Sequence, residues 1–132
     1  MKGKFIRRED LVIEELDWGT LAWVCTPKGN GAKEITFIEV MLYPGKGHNF
    51  HKHPDQEELI MVKEGQVEQW LEDQKTILNP GESVFIPADV VHASFNVSDA
   101  PAHLMVVLGP CVGEGGYEVV EVADQEPWRS LR

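Results

Sequence analysis

Short apolar runs rich in Val, Ile, Phe and Trp recur along the chain, separated by Gly and Pro breaks. Runs of about four to eight such residues are the signature of β-strands rather than helices. The pattern predicts strands at 18–25, 35–43, 59–62, 66–71, 75–78, 84–86, 90–95, 103–108 and 117–122. Leu11, Val12, Ile13 and Leu16 read as a further strand or a single helical turn, and 26–31 and 113–116 as loops. Helical periodicity is sparse, so the expectation is an all-β fold, an antiparallel barrel or jelly-roll sandwich. No internal repeat appears. A chain of 132 residues supports a single core. The expected layout is one domain, 1–132, with a core barrel at about 18–122. Its terminal arms should pack on the barrel or on a dimer mate. Trp128, so near the end, is expected to dock there, because a fraying tail rarely carries a Trp.

Charge narrows the partners. The formal net charge of −10 argues against nucleic acid and anionic membranes, which need clustered Lys and Arg. The first ten residues are charged, and no apolar run of leader or spanning length follows them. Cytoplasm is the resulting expectation. Cys25 and Cys111 are far apart in sequence and lack a C-x-x-C spacing, so they read as packed thiols rather than a disulfide. Four Trp residues are many for one small core, which leads us to expect a homodimer.

Candidate chemistry concentrates at 45–65. His51 and His53 are two apart, so an extended strand aims both imidazoles from one face. Pro54-Asp55-Gln56 reads as a turn, after which a carboxylate at Glu58 can point back at them. Glu57 competes for that role. Glu58 is favoured because it leaves Ile60 and Val62 on the same inward face. Two imidazoles and a carboxylate suit a divalent metal, and His92 is the downstream partner.

Gly45, His51, His53, Glu58 and Gly65, followed by Gly81, Pro87, His92 and Asn96, resemble the paired motifs of the cupin superfamily. Asp89 stands where that family's second motif carries a Gly; Asp tolerates left-handed turns better than most residues. The resemblance covers about 35–110. It implies a cupin barrel holding one metal through His51, His53, Glu58 and His92, and it favours a homodimer. Fold does not fix reaction, since the family hosts dioxygenases, isomerases, decarboxylases and sugar-binding proteins.

Such a ligand set leaves Mn, Fe, Ni, Co and Zn as candidate ions. His48 can line the pocket mouth or sit in a solvated loop. His103 reaches the cavity only if its face of the 103–108 strand is interior. Asn96 reads as a turn or supporting residue. Arg7, Arg8, Arg129 and Arg132 all lie near the termini, leaving the barrel body without a guanidinium fork for phosphate. A neutral or enolisable small molecule bound to the metal through oxygen is therefore expected. Three classes follow: a metal-dependent oxygenase, favoured here; an isomerase or lyase using the metal as Lewis acid; and a binding or sensing module.

Overall fold

The structure is a computed structural model and describes residues 3–132; Met1 and Lys2 lie outside the described residues. After a short 3-10 turn at Arg8–Asp10 come β1 (Val12–Leu16), β2 (Gly19–Cys25) and α1 (Pro27–Asn30). Next are β3 (Thr36–Leu42), β4 (Gly47–Lys52), β5 (Glu57–Glu64), β6 (Val67–Leu71) and β7 (Gln74–Leu78). The chain continues through β8 (Ser83–Ile86), β9 (His92–Phe95), β10 (Ala102–Gly109), β11 (Val120–Glu121) and α2 (Trp128–Leu131). They form two antiparallel sheets, ordered β1-β2-β3-β10-β5-β8 and β11-β4-β9-β6-β7. The all-β jelly-roll expectation holds, and most predicted strands fall within a residue or two of the observed ones.

Three differences have local causes. The loop expected at 26–31 closes into a one-turn helix. Thr26 Oγ1 accepts from Gly29 N, Pro27 takes the first helical position and Gly31 ends the turn with φ 77°. The strand expected from 90 begins at His92, because Val90 N instead donates to Pro87 O in a turn. The strand expected at 117–122 pairs only at Val120 and Glu121.

β10 shows how the core is built. Leu104, Val106 and Leu108 are buried, while His103, Met105 and Val107 alternate outward. With Ile38, Val40, Leu42, Ile60 and Val62 they fill the space between the sheets. β9 differs, since all four of its residues are buried. His92 and Ser94 face inward, whereas Ala93 and Phe95 join Phe50, Trp70, Val91 and Val122 in a second apolar cluster. Trp128 and Leu131 pack against that cluster, with Trp128 5.8 Å from the Phe50 ring. Within the chain, the C-terminal arm therefore packs on the barrel through Trp128 and Leu131.

The turns explain the motif glycines. Gly45, Gly65 and Gly81 all have positive φ, and Asp89 joins them at φ 67°. A side chain in that region costs about 1 kcal/mol or more, least for Asn and Asp. The Asp89 carboxylate sits 2.9 Å from Lys52 Nζ, so the substitution adds a contact that Gly cannot make. Cys25 and Cys111 are free thiols, and Cys111 Sγ donates to Ile35 O at 3.1 Å.

Candidate metal centre

β4 carries His51, and His53 follows just past its end. His51 and His53 are 4% and 3% exposed, and Lys52 between them points out to Asp89. A tight turn follows, with Gln56 N donating to His53 O. β5 then starts with Glu57 exposed and Glu58 buried, in phase with Ile60 and Val62. This alternation turns Glu58 towards the histidines and Glu57 towards solvent. His92 enters from β9, opposite His51 in the ladder.

These side chains converge. Ligand atoms of His51, His53 and His92 lie within 4.8 Å of one another. Glu58 Oε1 stands 2.7 Å from His92 Nε2 and 3.4 Å from His53 Nε2. Each imidazole is oriented by its other nitrogen. His51 Nδ1 meets Asn49 O at 2.7 Å, His53 Nδ1 meets Glu118 O at 2.7 Å, and His92 Nδ1 meets Val90 O at 2.9 Å. A carbonyl oxygen only accepts, so each Nδ1 carries the proton. In the neutral ring this leaves Nε2 as a bare lone pair. Backbone carbonyls fixing the tautomer in this way are the usual support of a metal-binding histidine.

Glu58 Oε1 and His92 Nε2 are both buried without a hydrogen-bond partner, despite their close approach. A lone pair and a carboxylate oxygen held this near repel unless something positive lies between them. A divalent ion answers that need, and the donor set fits one.

The local field favours the ligating form of His51 and of Glu58, whereas on His53 it favours the proton that a metal would have to displace. Burial drives the pKa of His51 well below 6.5, and neighbouring His48, His92 and His53 add to the effect. Burial also opposes charge on His53, but the Glu58 carboxylate outweighs it and the net direction is upward. For Glu58 burial alone would raise the pKa; His53 and His92 overcome it and hold the carboxyl at about 2.

The remaining candidates separate. His48 lies in β4 rather than a solvated loop, and lines the cavity. It stacks between Trp18, 4.8 Å away, and His51, 3.5 Å away. His103 is a correction. Its face of β10 is the outer one, where its side chain is 46% exposed and 4.0 Å from Glu64. Asn96 keeps the expected turn role: its Nδ2 donates to Leu42 O and Ala100 O, and its Oδ1 accepts from Ser98.

Two residues escaped the sequence reading. Gln56 is 1% exposed. Its Nε2 donates to Pro110 O and Gly116 O, and its Oε1 accepts from Glu118 N. It therefore fixes the segment whose carbonyl orients His53. The phase of Gln56, Glu58 and Ile60 carried that signal. Tyr117, on the same segment, lies 5.5 Å from the His53 ring, and only tertiary structure brings it there. Burial first, and then Glu14, Glu121 and Glu58, push its pKa up to about 12, keeping the phenol protonated.

The cavity above the site is small, with a volume of about 50 Å3. Ile38, Val40, Leu42, Ile60, Leu104 and Val106 form apolar walls, and its polar groups are His48, His51, His53, Glu58, Ser94 and Tyr117. No Lys or Arg lines it among the described residues. Arg8 and Arg132 instead pair with Glu39 and Glu68 outside the cavity. No helix among the described residues is long and apolar enough to cross a membrane.

Residues 38–108 match the family described as Cupin domain. Among curated proteins, the chain is 34% identical over 109 residues to Protein SchB of Streptomyces halstedii, spanning 83% of this chain and 79% of that protein. It is 32% identical over 92 residues to Polyketide synthase CurC of Streptomyces cyaneus, spanning 70% of this chain and 60% of that one. Among solved structures, KdgF from Halomonas sp. matches with a TM-score of 0.74 at 17% identity, covering 84% of this chain and 96% of that one. The polyketide cyclase RemF from Streptomyces resistomycificus matches with a TM-score of 0.73 at 22% identity, covering 98% and 99%. At such identities the two structures speak to the fold.

Proposed function

The chain belongs to the cupin domain family, and from that premise we propose that it is a metal-dependent enzyme acting on a neutral, enolisable, oxygen-bearing small molecule. One observation carries the reading. Three buried imidazoles have Nδ1 tied to backbone carbonyls, leaving Nε2 lone pairs around a buried carboxylate whose Oε1 has no hydrogen-bond partner. His51, His53, His92 and Glu58 would hold one divalent ion, Mn, Fe, Ni, Co or Zn. When bound, such an ion supplies Lewis acidity to a ligand oxygen.

The chain's own residues provide the rest. Apolar walls exclude water from the reacting end of the molecule and favour a substrate with few charges. Tyr117, kept protonated, offers a donor to a second oxygen. Without a cationic group the cavity disfavours phosphorylated substrates. Redox-silent rearrangement or ring closure of a poly-oxo compound is the first reading, supported by the relatives named for polyketide cyclase and synthase. Oxygenase chemistry, favoured on the sequence alone, becomes the second. Incubation of Fe(II)-, Mn(II)- and Zn(II)-loaded protein with a poly-β-ketone probe decides between them. Conversion with all three ions and no dioxygen uptake supports the first reading. Iron-specific turnover coupled to dioxygen uptake transfers the proposal to the second. Absence of metal uptake sinks both.

We propose a homodimer for a different reason than the Trp count. Trp70 is buried, and Trp18, Trp23 and Trp128 pack against His48, Tyr117 and Phe50. Among the exposed apolar side chains, Leu59 and Phe85 lie together on the outer face of the larger sheet, paired across β5 and β8. A second copy covers like surface with like by two-fold symmetry. Light scattering on the purified protein tests this, and a monomer at micromolar concentration overturns it.

A further inference from the structure

We propose that His48 is a positioning residue for the metal centre: clamped between Trp18 and His51 and held by Glu121, it sets the plane of the His51 imidazole. The inference rests on the metal reading above and deepens it, because it assigns a role to a side chain outside the ligand set.

The backbone makes the arrangement. In a regular strand, residues three apart face opposite sides. Here His48 pairs with Ser94 and His51 with His92, so three steps along β4 match two along β9. This bulge turns His48 to the interior, which is how bulges re-aim side chains beside functional sites. Asn49 lies within the irregular segment, and its carbonyl receives His51 Nδ1. One irregularity therefore supplies both the in-plane anchor of His51 and the ring on its face.

The clamp is closed from three directions. His48 and His51 are stacked with centroids 3.5 Å apart and planes within 7°. Trp18 covers the other face of His48 at 4.8 Å and 15°. Glu121, opposite His51 in the β4–β11 ladder, places Oε2 3.0 Å from His48 Nε2. A flat ring held on both faces and at its edge leaves His51 little freedom to rotate about its Nδ1 anchor. Ligand orientation of this kind is worth about tenfold to a hundredfold in metal affinity.

An alternative role fits the geometry less well. His48, His51 and Glu121 also bring potential ligand atoms within 4.8 Å of one another. In stacked parallel rings, however, the nitrogen lone pairs lie in parallel planes and do not converge on one ion.

The test uses the full chain, stripped of metal and titrated with Co(II). Readouts are the dissociation constant and the d–d absorption spectrum, which reports ligand geometry. Folding of each variant is checked by circular dichroism. His48→Ala is expected to weaken Co(II) binding about tenfold and to shift the d–d bands. His48→Phe, which keeps a flat ring but loses the Nε2 contact to Glu121, is expected to restore both to about the level of Glu121→Ala. Glu121→Ala is expected to give a smaller shift in the same direction as His48→Ala. Folded His48→Ala protein with unchanged affinity and spectrum overturns the proposal. So does His48→Phe as defective as His48→Ala, the result expected if His48 were a ligand. Failure of the unsubstituted protein to bind Co(II) overturns the metal reading itself, and is recognisable because it appears before any substitution is made.

Discussion

His92 Nε2 and Glu58 Oε1 stand 2.7 Å apart in the barrel interior, and neither has a hydrogen-bond partner. Removing water from two acceptors and pressing them together costs several kcal/mol unless a proton or cation joins them.

Glu58→Gln keeps the shape of the side chain but removes its charge. Divalent-metal affinity should fall by about a hundredfold, measured by calorimetric titration of metal-free protein. Glu57→Gln, one residue away on the exposed side of β5, should change it by less than about twofold. Equal losses at both positions would reverse the assignment of the carboxylate.

Acid should weaken the metal-free protein in two windows. The pKa of His51 is lowered from 6.5 by burial first, so the unfolded chain takes up its proton more readily and stability falls as pH drops below 6.5. Glu58, held at about 2 against an ordinary 4.5, contributes stability that is present above pH 4.5 and lost as pH falls towards 2. His53, raised above 6.5, acts oppositely, contributing below 6.5 and losing that contribution as pH rises through its folded value. Denaturant midpoints across this range check the signs. In the loaded protein, protons competing for the imidazoles should release the metal at about pH 6 to 5. Metal content unchanged well below pH 5 would exclude histidine ligation.

Gln56→Leu should destabilise the fold by about 2–4 kcal/mol. It deprives the Glu118 N–H of its acceptor and removes the side-chain N–H donors to Pro110 O and Gly116 O. Because Glu118 O orients His53, metal affinity should fall as well. Urea unfolding and metal titration read the two effects separately.

At position 89 the backbone sets the outcome. Asp89→Gly should lie within about 1 kcal/mol of the parent, relief of the left-handed strain offsetting loss of the exposed Lys52 contact. Asp89→Val should cost about 1–2 kcal/mol or more, since a β-branched residue fits φ 67° poorly. Thermal melts of the two variants would show the ordering.

Trp128→Ala should cost about 1–3 kcal/mol, as the half-buried ring leaves the Phe50 cluster. Metal affinity should hold, because that cluster lies on the opposite face of the sheet from the histidines. A parallel loss of metal would mean that the two faces are mechanically coupled.

Alternation and chain breaks in the sequence by themselves determined the strand pattern, the inward phase of Glu58 over Glu57 and the pairing of His51 with His53. These depend on period-two geometry and on the local chemistry of Gly, Pro and Asp, which neighbouring residues encode. Tertiary structure decided which face of β10 is interior, and so removed His103 from the cavity. It also decided the bulge that turns His48 inward, the anchoring of the 110–118 segment by Gln56, and the arrival of Tyr117 beside His53. Each of these depends on what lies across the barrel, where contacts are set by the packing of strands distant in sequence and leave no periodic trace along the chain.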